Sequence, residues 1–456
     1  KGVVPAGGIV GGSMILGELT GDDIERYGGI SRGMSGSPVY LDGRLAGALS
    51  TTFELTDHSL GGVTPAKSML DSAEYCDPGA RGDARGELRR TNSPGTAVAL
   101  GRPAAERGGN GAIDESAVVP IDPPLRIGGA EYTGLRHSGP PAPGVLTAKP
   151  VTALIAVRGL ESRAGEILNS YFERAGVQVR PITAGIPRGG HTPAHAIGRG
   201  SEIRPGSSVA VQLVRGDIDI SAVGTVTAVD GKRVLLFGHP FFHKGEVDYL
   251  LADARVIAIV RGDDMPFKLT STGVIRGTVY QDRGSALIGR LDEYPMLVPL
   301  DITAVDREIG REKKTSVRIV QDEDILANLI LMVVLEAFDS TIDKIGEGTS
   351  EIEFSLKVTG YEDRIERSNI FYDRYDISSR SLTELVNALV MMQENEFFDS
   401  VVSSLDVRVE FDSSRSIASI EKIKMVDRKP SPSMERPPAG GSEPAPGEGA
   451  SGDAAD

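Results

Sequence analysis

The chain has 456 residues and a formal net charge of −15, with 49 Lys and Arg against 64 Asp and Glu. This acidic balance argues against nucleic acid as a partner, because phosphate binding requires a basic face, and it disfavours electrostatic adsorption on anionic lipid. The longest apolar run, residues 325–337, is shorter than the roughly 18–20 residues of a membrane span. The sequence therefore predicts no integral membrane segment.

The composition favours many short strands and turns over long helices. Gly and Pro number 56 and 27, whereas aromatic residues make up only 5% of the chain, and this balance is typical of a mainly β protein. The single cysteine, Cys76, excludes an internal disulfide and a cysteine-rich zinc site, and we expect it to be a buried structural thiol. Because the chain opens at Lys1 inside a glycine-rich strand pattern, we expect that a signal peptide has been removed.

The length predicts two or three domains. Composition shifts and turn clusters divide the chain into a β-rich segment with a serine loop, a Gly/Arg-rich linker, a mixed α/β region, a second β-rich segment, a C-terminal α/β domain and a Pro/Gly/Ser-rich tail. These are residues 1–76, 77–96, 97–206, 207–302, 303–427 and 428–456. The tail lacks the apolar area to offset its ordering entropy, so we expect it to be disordered.

The first β-rich segment contains a serine between two glycines, directly before a hairpin. Residues 9–19 alternate as a strand, and Gly33-Met34-Ser35-Gly36 then precedes two apolar runs that are joined by Asp42-Gly43, a strong hairpin signal. Gly33 can adopt a backbone conformation that directs its own amide and that of Ser35 into one concavity, as in an oxyanion hole. The alternative is an ordinary glycine-rich turn.

The remaining elements follow in chain order. Helical spacing is expected at residues 66–75 and 161–175, and then at 322–338 and 381–395. From residue 207 the chain becomes a succession of short strands, at 209–214, 218–229, 233–237, 254–260, 267–269, 277–280 and 297–302. Such a rhythm is typical of a β-barrel.

A nucleophilic serine needs a base, and His239 is the strongest of the six histidines. It ends an apolar strand, and Gly238 and Pro240 fix the backbone on both sides of it, as a working imidazole requires. The alternative is a strand-end histidine that only packs. A zinc site with His243 would need a helix to bring both rings to one face, and Pro240 opposes a helix there, so we expect no metal.

Two separated segments resemble the SpoIVB-type serine peptidases. The first is Gly28-Gly29-Ile30-Ser31-Arg32-Gly33-Met34-Ser35-Gly36-Ser37-Pro38, followed by the Asp-Gly hairpin. The second runs from Gly224-Thr225-Val226-Thr227 to Gly238-His239. The resemblance implies a chymotrypsin-like double β-barrel, with the Ser-bearing half in residues 1–76 and the His-bearing half in 207–302. It also implies Ser35 as nucleophile and His239 as general base.

This chain carries the Ser segment ahead of the His segment, the reverse of the order in the sporulation enzyme of that family. We therefore expect a permuted double barrel, since catalytic triads recur in different chain orders. For the acid that orients the ring we favour Asp282, with Asp22 or Asp23 as alternatives. We expect Ser50, at the end of the second hairpin strand, to line the cleft.

These observations lead to an expected function. We expect a secreted or envelope-located serine endopeptidase that acts on a protein or peptide, with the Gly33 and Ser35 amides as oxyanion hole and with no cofactor. One rival is a non-catalytic envelope scaffold that holds a peptide in the same cleft. A second is a structural β protein with an accidental serine turn, and it does not explain why both family segments occur together.

Overall fold

The computed structural model describes most of the chain. The described residues are 1–53, 58–75, 116–127, 130–140, 142–151, 154–160, 162–174, 182–183, 202–262, 265–342, 344–393, 395, 401–415 and 421–423. Cys76, the predicted linker at 77–96 and the predicted disordered tail at 428–456 lie outside these ranges. Lys1–Arg415 forms one compact unit, and Ser416–Asp456 is a second unit with few described residues.

Strands dominate the described chain, which confirms the mainly β prediction. In the N-terminal part the elements are β1 (Gly2–Val4), β2 (Met14–Glu18), α1 (Asp22–Tyr27), β3 (Pro38–Leu41), β4 (Arg44–Phe53), β5 (Leu60–Pro65), α2 (Ala66–Tyr75), β6 (Val119–Ile127), β7 (Ala130–Arg136) and β8 (Val145–Pro150). They continue with β9 (Leu154–Arg158), α3 (Ser162–Arg174), β10 (Ile182–Thr183), β11 (Ser208–Gly216), β12 (Asp219–Asp230), β13 (Arg233–Leu236), β14 (Gly245–Val260), β15 (Phe267–Arg283) and β16 (Ala286–Leu291). The C-terminal part comprises β17 (Leu297–Asp306), β18 (Arg311–Val320), α4 (Leu326–Ile342), β19 (Gly348–Val358), β20 (Ile365–Asp373), α5 (Ile377–Ser381), α6 (Thr383–Gln393) and β21 (Val402–Asp412).

The first sheet carries the serine loop. Its order is β1-β2-β5-β4-β8-β7-β6, with β3 paired to β4. The β3–β4 turn has positive φ at both Asp42 (49°) and Gly43 (74°), as the favoured two-residue hairpin turn requires. The predicted hairpin is therefore present, and it places the loop before β3 at one end of this sheet.

The second sheet contains a barrel-like ring. Six strands pair in the cycle β11-β12-β13-β16-β15-β14 and back to β11, and every one of these pairings is antiparallel. Val211, Val226, Leu251 and Val279 from four of these strands are fully buried in one apolar cluster. Such a ring removes most free strand edges, so the strand ends and their connections become its accessible features.

The ring continues into the C-terminal strands without a break. β11 also pairs with β18, and the order then runs β18-β17-β21-β19-β20. Helix α4, which is buried along most of its length, belongs to the same apolar cluster, and Phe338 meets Phe411 edge to face with ring centroids 5.4 Å apart. The C-terminal region therefore shares one core with the ring.

Two differences from the expected organisation follow from long-range pairing. Residues 97–206 do not form a region of their own among the described residues, because β6–β8 join the first sheet whereas β9 and β10 join the second. The strands expected at 267–269 and 277–280 are parts of β15, whose pairing with β14 is interrupted by register shifts. Each such bulge reverses which side chains face inward, so the alternation in the sequence is broken although the strand continues.

Helix α2 and a small apolar cluster join the two sheets. The cluster contains Ala48 of β4, Met69 and Ala73 of α2, and Leu235 and Ile288 of the ring. The contact fixes the N-terminal sheet against the ring at the end where β13 leads into His239.

Candidate active site

Ser35 lies in a tight loop at the junction of the two sheets. Gly33 and Gly36 on either side of Met34-Ser35 have φ of +87° and +89°, a left-handed conformation that favours glycine. Ser35 has no exposed surface, and among the described residues its Oγ has no hydrogen-bond partner. A buried hydroxyl without a partner is uncommon, and it leaves Oγ available for chemistry.

The backbone of the loop is asymmetric in its hydrogen bonding. The amides of Gly33 and Ser35 have no partner within the described part of the chain. The carbonyl groups, in contrast, are held by β12: Thr225 N donates to Ser35 O at 2.8 Å, and Thr225 Oγ1 donates to Gly33 O at 3.0 Å. Thr227 Oγ1 likewise donates to Gly36 O at 2.8 Å. The carbonyl oxygens are thus fixed, while the two amides remain free to bind an anionic oxygen.

The serine loop and the His239 segment are in direct contact. A Cβ on Gly36 would lie 2.1 Å from Thr225 O and 2.5 Å from Phe237 N, and a Cβ on Gly238 would lie 2.9 Å from Ala48 Cβ. Phe237 itself has a positive φ of 67°, which is rare for a bulky residue and marks a constrained turn. Two segments that are distant in sequence therefore form one site.

The His239 ring is buried, and each of its nitrogens lies near a backbone carbonyl oxygen. Its Nδ1 lies 2.7 Å from Pro240 O, and its Nε2 lies 3.2 Å from Val151 O. Burial lowers the pKa of His239, and the two carbonyl contacts act in the opposite direction. No hydrogen bond joins the ring to Ser35 in this structure.

Asp282 lies in the same region but contacts the turn after the histidine. It has no exposed surface, and its carboxylate accepts from Phe241 N at 2.8 Å and from Phe242 N at 2.6 Å. Burial raises the pKa of Asp282, while amides that include that of Lys244 act in the opposite direction. The carboxylate thus holds the turn that carries Pro240 O, and Pro240 O is the atom that lies against Nδ1 of His239.

The other predicted site residues have distinct surroundings. Asp22 and Asp23 are exposed in the first turn of α1, and neither is a hydrogen-bond partner of His239. Ser50 is buried, and its Oγ lies 2.8 Å from Thr64 Oγ1, which donates its hydrogen to Gly238 O at 2.6 Å. Ser50 is therefore linked through Thr64 to the residue before the histidine.

Sequence reasoning missed two residues that contact the serine loop, Thr225 and Lys268. The alternation of Thr225 and Thr227 in a strand was a usable signal, because it places both hydroxyls on one face. The sequence contained no comparable signal for Lys268, which stands between Phe267 and Leu269. Lys268 is nevertheless the buried member of these three residues, with 8% of its surface exposed. Burial lowers the pKa of Lys268 to about 8.

Other features of the molecule lie away from this junction. A cavity of about 820 Å³ opens on the C-terminal strands, and a smaller one of about 310 Å³ lies between β19, β20 and α6. Within the described ranges no cluster of three or more His, Cys, Asp or Glu residues could hold a metal ion. No described helix combines the length and apolar character needed to cross a bilayer.

Comparison with known proteins supplies no relative that would assign this arrangement. No family model, no curated protein and no solved structure matches the chain.

Proposed function

We propose that this protein is a serine endopeptidase in which Ser35 is the nucleophile and His239 the general base. The observation that carries the proposal is the junction itself, where the serine loop lies against the His239 segment. The loop presents a buried serine hydroxyl and two backbone amides, none of which has a partner among the described residues. Unpaired buried amides are rare because each costs about 1–3 kcal/mol. A site that retains two of them beside an unpaired hydroxyl is suited to stabilising an oxyanion.

One tautomer of His239 suits the role of base. If Nδ1 carries the proton and donates to Pro240 O, Nε2 holds the lone pair that a base requires, and its 3.2 Å contact with Val151 O is then not a hydrogen bond. The lowered pKa keeps the imidazole neutral at physiological pH. In the reaction Nε2 leaves Val151 O and takes the proton of Ser35 Oγ as Oγ attacks the scissile carbonyl.

The remaining steps conserve atoms and charge. The carbonyl oxygen of the substrate becomes an oxyanion that the Gly33 and Ser35 amides bind. The amine product then leaves with the proton from His239. His239 then takes a proton from water, and the water oxygen attacks the acyl-enzyme. As the acid product leaves, His239 gives that proton to Ser35 Oγ. Asp282 acts as a positioning residue, since it holds the turn that presents Pro240 O.

We further propose that the two sheets correspond to the halves of a permuted chymotrypsin-like arrangement. Six strands pair in a closed cycle beside His239, which supports assigning the second sheet as one half. The serine loop contacts β12, which supports placing the two halves side by side with the site between them. The secreted or envelope location and a protein or peptide substrate are proposed from the sequence resemblance.

A second candidate function is a non-catalytic scaffold that holds a peptide. One observation favours it: Ser35 and His239 are both buried, and His239 Nε2 faces Val151 O instead of Ser35 Oγ. In that case the site would be a relic that supports binding alone.

A fluorophosphonate probe, which reacts with activated serines, separates the two functions. Labelling of the wild-type chain should be abolished by Ser35→Ala and lowered by about 100- to 10,000-fold by His239→Ala. Ser31→Ala is the matched control, because the Ser31 hydroxyl is equally buried and also lacks a partner among the described residues. A wild-type protein that is folded by circular dichroism but silent to the probe would contradict the endopeptidase and favour the scaffold.

A further inference from the structure

Lys268 is a buried lysine directly beneath the serine loop. Its backbone N donates to Arg32 O at 3.0 Å, and a Cβ on Gly33 would lie 3.3 Å from Lys268 Cδ. The side chain therefore runs along the loop that carries Ser35. Among the described residues Lys268 has no ion-pair partner, so its charge is not explained by a salt bridge.

The partners of the ammonium group are two hydroxyls. Lys268 Nζ lies 3.1 Å from Thr225 Oγ1 and 3.2 Å from Ser208 Oγ. An ammonium group donates hydrogen bonds and cannot accept them. Thr225 Oγ1 must therefore accept from Lys268, and its own single hydrogen is directed elsewhere.

Within the described part of the chain, Thr225 Oγ1 donates that hydrogen to Gly33 O, at 3.0 Å. Because Thr225 N also donates to Ser35 O at 2.8 Å, Thr225 holds the peptide groups that follow Gly33 and Ser35. The chain of donors from Lys268 through Thr225 to Gly33 runs in one direction, and charge-assisted bonds of this kind are stronger than neutral ones.

We propose that Lys268 is a positioning residue for the nucleophile: by donating to Thr225 Oγ1 it fixes that hydroxyl as the donor to Gly33 O and so holds the loop that presents Ser35. The expected effect on the reactivity of Ser35 rests on the proposed function. The claim that Lys268 and Thr225 hold the loop does not depend on it.

The cost of the arrangement argues against a purely structural role. A buried ammonium without a carboxylate is unfavourable, and burial lowers the pKa of Lys268 to about 8. An apolar residue of similar length would fill the same space without that cost. The charge is therefore retained at the expense of stability, a pattern found at functional sites.

Four variants of the full chain test the proposal. Lys268→Met removes the donor at similar length, and Thr225→Val removes the hydroxyl at similar shape. Thr225→Ser retains the hydroxyl, and Ser208→Ala removes the other acceptor of Lys268. The first readout is amide hydrogen exchange, by mass spectrometry, in peptides that cover residues 33–37 and Thr225. The second is the fluorophosphonate labelling rate, measured together with the unfolding midpoint.

We expect Lys268→Met and Thr225→Val to exchange faster in these peptides and to label at least about 10-fold more slowly, since a small misplacement of a reacting group can cost up to about 100-fold. Thr225→Ser and Ser208→Ala should behave as wild type. The Lys268→Met midpoint should not fall, which separates positioning from general destabilisation. Wild-type exchange at residues 33–37 in Lys268→Met would overturn the proposal. A wild-type chain without labelling would instead contradict the endopeptidase, while the exchange data still decide the role of Lys268.

Discussion

At the scale of single residues, the site depends on the absence of a side chain at Gly36. Its φ of +89° costs any other residue about 1–2 kcal/mol, and a Cβ there would meet backbone atoms of Thr225 and Phe237 at 2.1 and 2.5 Å. We therefore expect Gly36→Ala to separate the loop from the His239 segment, to lower the free energy of unfolding by more than the conformational cost alone, and to abolish probe labelling.

Gly43→Ala is the control for this prediction. Gly43 also has a positive φ, of +74°, but a Cβ there meets nothing within 4 Å. Urea unfolding should therefore show only the conformational cost of about 1–2 kcal/mol, with labelling retained. Equal losses of stability in the two variants would show that the close approach at Gly36 is unimportant.

Lys268 leads to a pH prediction whose sign follows from its lowered pKa. The native group loses its proton at about pH 8, whereas in the unfolded chain the pKa is 10.5. Between these values the unfolded state binds more protons, so the free energy of unfolding rises with pH. The full cost of burial is present below pH 8, and Lys268→Met should relieve up to about 3 kcal/mol of it.

The measurement is urea unfolding of wild type and Lys268→Met at about pH 7 and pH 10. The difference between the two proteins should shrink as the pH rises, because the wild-type lysine becomes neutral in the folded state. A Lys268→Met protein that is much less stable at pH 7 would contradict the assignment of a destabilising charge.

At the scale of elements, the turn between β13 and β14 is held by the carboxylate of Asp282. Asp282→Asn retains one acceptor oxygen and loses the charge, so the amides of Phe241 and Phe242 cannot both keep their present bonds. We expect a loss of about 1.5–3 kcal/mol in the free energy of unfolding, the range for hydrogen bonds to charged groups. We also expect slower labelling, because Pro240 O moves with the turn.

Asp292→Asn is the matched control in the same six-stranded ring of β-strands. Asp292 is an exposed residue whose carboxylate lies 3.6 Å from Lys232 Nζ, and a surface pair of this kind contributes about 0–1 kcal/mol. Thermal unfolding should therefore be nearly unchanged. If Asp282→Asn were as harmless as Asp292→Asn, the turn would not depend on its carboxylate.

At the scale of the whole molecule, the ring depends on strands far downstream. β21 lies between β17 and β19, and its Val407, Val409 and Phe411 are buried in the core that the ring shares. Removing large core side chains costs about 2–5 kcal/mol each, against a total stability of about 5–15 kcal/mol for a typical domain. A chain that ends at residue 395 should therefore have no cooperative thermal transition.

A chain that ends at Arg415 provides the comparison. It retains every strand and helix of the first unit, so its unfolding midpoint by calorimetry should equal that of the full chain. A cooperative transition in the shorter chain would show that the ring folds without the C-terminal strands.

The sequence was most informative where structure depends on near neighbours. The hairpin at Asp42-Gly43, helix α2 and helix α4 were predicted because turn conformation and helical spacing are decided within a few residues. The same holds for the serine loop, whose glycines allow the backbone that Ser35 needs. Asp282 was selected for its position in the chain, but only the fold shows that it contacts the backbone of the turn.

The sequence by itself therefore determined the mainly β character and the local shape of the serine loop, and it predicted Ser35 and His239 as candidate nucleophile and base. Tertiary structure alone decided that strands β6–β8 join one sheet whereas β9 and β10 join the other, that Lys268 faces inward and that Val151 O meets the His239 ring. The physical reason is that these features arise from strand pairing between distant segments. Such pairing depends on the packing of the whole core and leaves no periodic signal in the residues concerned.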